Sequence, residues 1–235
     1  MPRDTLTREQ IVRAAVELLD ADGLEGLNMR ALGRRLGSAA TAVYWHVGSK
    51  ENLIALAADE AWGEVALPDP AGVGWRAAAT AMAEDLYAML GRHPWLVQAF
   101  GSYVLFGPGK ARHDDHALAV LEAAGFAGAR ADRAAAAVFT YVFGNALGPA
   151  AQVSLTRKLG RDGGDAGELM DEALAGAREV AAGFPRLAAR LGTSAAEEYG
   201  AAPDDSFGYG LRILLDGLAA DLAGHAGERK SSCPV

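Results

Sequence analysis

Arg30, Tyr44, His46 and Lys50, all near the start of the chain, carry the donors that an anionic polymer requires. A guanidinium can bond both acceptors on the major-groove edge of guanine. A phenol and an imidazole can donate to phosphate oxygens, which fixes position without reading sequence. Lys50 stands in Ser49-Lys50-Glu51-Asn52, which reads as a helix cap and first turn, so its ammonium adds to the positive end of a helix dipole. Between these donors, Ser38, Ala39, Ala40, Thr41 and Ala42 are small enough for close approach to a groove, and their methyl groups suit thymine methyls. Trp45, between Val43 and Val47, is open to two readings, packing or DNA contact.

Other chemistries find less material. His113 and His116 in 113-HDDH-116 stand at a spacing that can hold a metal on a helix, but no further ligand accompanies them and none is expected. The single cysteine, Cys233, excludes a disulfide within one chain. There is no phosphate-cradling glycine motif, nucleophile elbow or paired His-carboxylate metal motif, so neither an enzyme nor a cofactor is expected. Apolar runs such as residues 134–143 fall below the roughly 18 to 20 residues of a membrane span, and a cytoplasmic protein is expected. The net charge of −8 is uneven: residues 1–50 sum to +1 and the remainder to −9. A near-neutral head with clustered arginines on an acidic body suits a small DNA footprint, although an ordinary solvated helix pair fits the charges equally well.

These residues need elements to position them, and the periodicity supplies helices throughout. Ile11, Val12, Ala15, Leu18 and Leu19 form one apolar face, with Thr7 and Gln10 as a capping box and Gly23 as the stop. Short helices follow over 29–37 and 39–47, and a longer one runs from Ser49 toward Val65. Beyond Trp75, helices are expected at 75–91, 95–105, 112–124, 131–155, 168–191 with a break at Pro185, and 206–224. Residues 160–167 read as a loop and 225–235 as a frayed tail. The fold class is all-α: an N-terminal three-helix helix-turn-helix domain over 1–65, followed by a helical domain over 66–235. Three short helices with an aromatic-rich third are the ingredients of a DNA-reading head.

The run 23-GLEGLNMRALGRRLGSAATAVYWHVGSKENLI-54 resembles the DNA-binding domain of TetR-family regulators, its Tyr-Trp-His-Val being most similar to the tetracycline-repressor branch. The likeness extends to 93-HPW-95 and 207-FGYGLRILLDGLAADL-222. The resemblance implies a repressor that binds double-stranded operator DNA through Arg30, Ala40, Thr41, Ala42, Tyr44, Trp45, His46 and Lys50, with Arg30 as the base reader. Met29 and the Ala40-Thr41-Ala42 triplet depart from that branch, so its operator is not carried over. The resemblance also implies a homodimer with a seam at Phe207, Leu211, Leu214 and Leu218, packed on residues 131–155. The same apolar positions could serve as a monomer core. An apolar or aromatic small-molecule effector is expected at Met82, Leu86, Phe100, Tyr103, Phe139 and Phe143, each of which singly also reads as core. Ala66, Met82, Leu86, Phe100 and Ala117 stand where that branch uses polar residues for drug and magnesium, so tetracycline is not the expected ligand.

Overall fold

Thr7 starts the first helix: its hydroxyl oxygen accepts from the Gln10 amide at 3.2 Å, and the Gln10 side chain accepts from the Thr7 amide at 2.9 Å. Both contacts satisfy donors that a helix start leaves free. The computed structural model describes residues 6–161, 166–191, 193 and 206–231, all in helices and their connections. The expected loop at 160–167 falls partly outside these residues, and Arg3 and Cys233 fall outside them altogether.

The head consists of α1 (Arg8–Gly26), α2 (Met29–Arg35), α3 (Ala40–Val47) and α4 (Lys50–Trp62). Gly23 breaks α1 with a φ of 71°, after which the chain resumes a short turn rather than stopping. Asn28 caps α2, accepting from the Arg30 amide at 2.9 Å. Gly33 allows α2 to lie against the turn into α3, since a Cβ there would stand 2.9 Å from the Ser38 carbonyl oxygen. Val43 and Val47 are fully buried and anchor α3 on the core shared with Ile11, Leu19, Leu32 and Leu53.

The body comprises α5 (Pro70–Val73), α6 (Trp75–Arg92), α7 (Trp95–Phe100), α8 (Pro108–Ala124), α9 (Ala129–Arg161), α10 (Ala166–Ala182), α11 (Pro185–Ala188) and α12 (Ser206–Ser231). Three boundaries differ from the sequence expectation for local reasons. α7 ends at Phe100 because Gly101 begins a turn. α8 starts at Pro108, whose fixed φ suits the first helical turn. α12 runs to Ser231, past the expected end at residue 224.

Head and body share one apolar core. α4 forms the common wall, with Leu53, Ile54, Ala57, Ala58, Ala61 and Trp62 buried along its length. α9 is the central helix of the body, packed against α6, α7, α8, α10 and α12. Folded as one helix, Ala129–Gly160 does reach the length and mean hydropathy of a membrane span, in contrast to its separate apolar runs. Only 22% of its most apolar window is covered within the chain.

Candidate nucleic-acid interface and effector cavity

The buried valines of α3 determine what its other side presents. Thr41 is exposed, Tyr44 is 45% exposed and Trp45 is 81% exposed, while Ala40, Ala42 and His46 are half-buried. Trp45 is therefore a surface indole, resting edge-on against His46 at 4.7 Å. Ala39 caps α3 without a side-chain hydrogen bond, so no capping side chain covers the small-residue end of the helix. Arg30 is exposed in the first turn of α2 and has no ion pair among the described residues. Lys50 departs from the simple picture. It is half-buried, and its Nζ donates to the Leu24 carbonyl at 3.4 Å, so its charge ties α4 to the end of α1 as well as marking the start of α4.

In the body, α6, α8 and α9 enclose a cavity of about 310 Å³. Met82, Leu86 and Phe139 line it, along with Val138 and Val142. Phe100, Tyr103 and Phe143 are not on its wall. Tyr103 lies beyond the end of α7, outside the helix expected over 95–105. Phe100 and Phe143 instead join Phe139 in an aromatic cluster, at centroid distances of 5.0 to 5.9 Å. The last residue of α4 is inserted into that cluster: Trp62, 2% exposed, stacks on Phe139 at 6.3 Å and meets His113 at 4.8 Å. Phe139 is thus both a wall of the cavity and a support for the far end of the helix that begins at Lys50.

α8 gives the cavity Lys110, His113 and Asp114, and α9 adds Asp132. Lys110 pairs with Asp114 and holds its ammonium over the faces of Trp62 and Phe139, at 5.3 and 5.6 Å. Burial pulls the His113 pKa below the usual histidine range, outweighing the nearby Asp114 carboxylate, so the ring is neutral at neutral pH. His116 points elsewhere, its Nε2 donating to the Pro68 carbonyl at 2.9 Å. The metal spacing of the HDDH run does not reveal its place on the cavity wall, which depends on how α8 packs.

A second polar cluster fastens head to body. His93, 5% exposed, bonds Asp20 of α1 through Nδ1 at 2.7 Å and Glu64, just beyond α4, through Nε2 at 3.0 Å. Trp95 donates to the same Asp20 oxygen at 2.8 Å, Arg157 donates to the Asp20 carbonyl, and Arg92 pairs with Glu64 at 2.7 Å. Burial disfavours the imidazolium, but the two carboxylates outweigh it and raise the His93 pKa. Burial likewise works against the Glu64 carboxylate, yet Arg92 and His93 hold its pKa below the usual range.

The last helix corrects the expected dimer seam. Phe207 and Leu211 are 8% and 2% exposed and face the chain's own core, where Phe207 stacks on Tyr87 at 4.2 Å. Tyr141 donates to the Phe207 carbonyl at 2.8 Å, which holds α9 to α12. Leu214 and Leu218 are half-buried. The outward apolar side of α12 carries Tyr209 and Ile213, and Leu147, Val153 and Leu155 of α9 are also exposed.

Comparison with known proteins agrees with this architecture. Residues 11–57 match the family model described as bacterial regulatory proteins, tetR family, and residues 67–222 match the tetracyclin repressor-like, C-terminal domain. An HTH-type transcriptional regulator of Saccharopolyspora erythraea is 43% identical over 140 residues, covering 60% of this chain and 59% of that protein. The HTH-type transcriptional repressor DrrR1 of Streptomyces coeruleorubidus is 32% identical over 232 residues, covering 97% of this chain and 82% of that one. The Streptomyces coelicolor TetR family protein ActR, solved in complex with actinorhodin, superposes with a TM-score of 0.72 at 26% identity, covering 93% of this chain and 98% of that one.

Proposed function

The chain belongs to the TetR family of bacterial regulators, and from that premise we propose that it is a dimeric repressor that leaves operator DNA when an apolar or aromatic effector fills the cavity between α6, α8 and α9. The head is taken as residues 1–65 and the body as 66–235. α3 enters the major groove with Thr41, Ala40 and Ala42 close to the bases. Tyr44, Trp45 and His46 meet the backbone, Arg30 reads a base, and Lys50 with the start of α4 faces a phosphate. The protein acts by binding and catalyses nothing, in the cytoplasm where its DNA is.

One observation carries the mechanism. Phe139 lines the cavity and stacks on Trp62, and Trp62 ends the helix that begins at Lys50. A ligand that moves Phe139 or α8 therefore displaces the far end of a rigid lever whose near end belongs to the head. Two heads must match half-sites spaced by about 34 Å or a multiple, so a small rotation of α4 is enough to spoil the fit. A coupling of about 1 to 3 kcal/mol between effector and operator is expected.

Dimerisation follows from the uncovered apolar surface of α9 and α12, now centred on Tyr209 and Ile213 with Leu214 and Leu218 at its edge. The test of the proposal is a low-salt operator-binding assay on DNA upstream of the protein's own gene. A discrete complex that resists nonspecific competitor DNA is expected. Binding no stronger than to unrelated DNA would leave a helical sensor without an operator.

A further inference from the structure

The polar end of the cavity constrains the chemistry of what enters it. His113 is 6% exposed, lines the wall beside Phe139, and places Nδ1 3.3 Å from Oδ1 of Asp114. An ionised carboxylate only accepts, so the neutral imidazole must carry its proton on Nδ1, and Nε2 is left as a bare acceptor. Nε2 has no partner among the described residues. It is not sealed in protein either, because the described side-chain polar atom that is both sealed and unpartnered is Nε1 of Trp62. Nε2 thus keeps some open surface, and His113 lines the cavity.

Three ligand classes can be compared against this end. A carboxylate has no proton to offer Nε2 and would meet Asp114, while the nearby ammonium of Lys110 is already engaged by Asp114 and two aromatic faces. An ammonium donor would stand beside the like charge of Lys110, with Asp114 already paired and Asp132 the other carboxylate on the wall. A hydroxyl on an aromatic ring donates to Nε2 and, being neutral, needs no free ion to balance it.

We propose that the effector is an apolar ring compound bearing an aromatic or enolic hydroxyl, which donates to Nε2 of His113 while its rings lie along Met82, Leu86, Val138 and Phe139. The inference rests on the reading of this cavity as the effector site. It is tested by calorimetric titration of the full-length dimer with 2-naphthol and with 2-methoxynaphthalene, which share a ring system and differ in the donor.

Preference for 2-naphthol by about tenfold is expected, the scale of one hydrogen bond to a site whose acceptor is otherwise unmet. His113→Phe keeps a ring against Trp62 and removes the acceptor, so the preference should collapse while 2-methoxynaphthalene still binds. Asp114→Leu removes the acceptor that fixes the tautomer. Asp114 has a side chain 49% exposed, so the fold does not depend on it, and a reduced preference is expected there too. Excited 2-naphthol is a strong acid, so its bound emission should show the naphtholate band in the wild type and lose it in His113→Phe. Equal binding of both probes by the wild type, or an undiminished preference in both variants, would overturn the hydroxyl inference and leave the cavity standing. Binding of neither probe would overturn the cavity as a site for such rings, and the inference with it.

Discussion

Oδ1 of Asp59 lies 2.7 Å from the amide nitrogen of Gly109 and 3.1 Å from that of Lys110, so a side chain of α4 caps the start of α8. Gly109 is required for the approach, since a Cβ there would stand 2.5 Å from the Asp59 carbonyl oxygen. α8 supplies the polar wall of the cavity, and α4 carries the head. The contact is a second mechanical link between them, beside the stacking of Phe139 on Trp62.

Asp59→Ala should cost about 0.5 to 2 kcal/mol of stability through the lost cap. It should also weaken coupling, leaving operator affinity near that of the wild type but reducing the response to a cavity ligand. Thermal melts and operator titrations with and without ligand measure both. A full ligand response in a destabilised variant would confine Asp59 to capping.

His93 should make the junction of head and body sensitive to pH. Its folded pKa is raised, so its stabilising contribution is complete below the unfolded histidine value of about 6.5 and is lost as pH rises through the folded value. The groups facing it are Asp20, Glu64, Arg92, Trp95 and the Arg157 guanidinium, and the lowered pKa of Glu64 keeps that carboxylate charged throughout this window. Compared with the wild type, His93→Gln should lose about 1.5 to 3 kcal/mol at about pH 6, the worth of hydrogen bonds to charged partners. The difference should shrink toward about pH 9. Denaturant unfolding across that range measures it, and a gap independent of pH would show that the ring acts as a neutral spacer.

The arginine and the lysine of the head should fail differently. Arg30→Ala should cost about 1 to 3 kcal/mol and relax specificity at one base pair. Lys50→Ala should weaken all sequences alike and reduce the salt slope by about one per head. Because Lys50 also reaches the Leu24 carbonyl, its variant should lower stability slightly as well. Uniform loss in Arg30→Ala would reassign that residue to a phosphate, and an unchanged salt slope in Lys50→Ala would confine the lysine to its contact with α1.

The dimer surface can be tested by two glutamates. Ile213→Glu places a charge on the outward side of α12 and should yield folded monomer. Leu211→Glu buries a charge inside the chain and should lower stability by several kcal/mol, on the scale of about 3 to 5 for an unpaired buried charge. Sedimentation and circular dichroism separate the outcomes. An intact Ile213→Glu dimer would place the interface elsewhere.

What could be read from the sequence was local. The Thr7–Gln10 box, the Ser49 cap and the face of Ile11, Ala15 and Leu19 depend on neighbours three or four residues apart. The sequence left Trp45 open between packing and exposure; in the structure two residues at about 100° each turn it well away from the buried Val43 and Val47. The Asp59–Gly109 cap and the His93 cluster join residues far apart in the chain and have no periodic signature. Periodicity likewise marked α12 as apolar without telling which apolar residues meet the chain's own α9 and which remain outside. The expected seam therefore includes Phe207 and Leu211, which the structure buries, and omits Tyr209 and Ile213, which it leaves exposed.

The central claim, that the cavity and the head are coupled through α4, is tested most directly by measuring the affinity of a confirmed cavity ligand in the presence and absence of saturating operator. Linkage requires the operator to weaken the ligand by the same factor by which the ligand weakens the operator, about 5- to 150-fold for a coupling of this size. Equal factors within that range are expected in the wild type, reduced together in Asp59→Ala. Identical ligand affinities with and without operator would contradict that coupling.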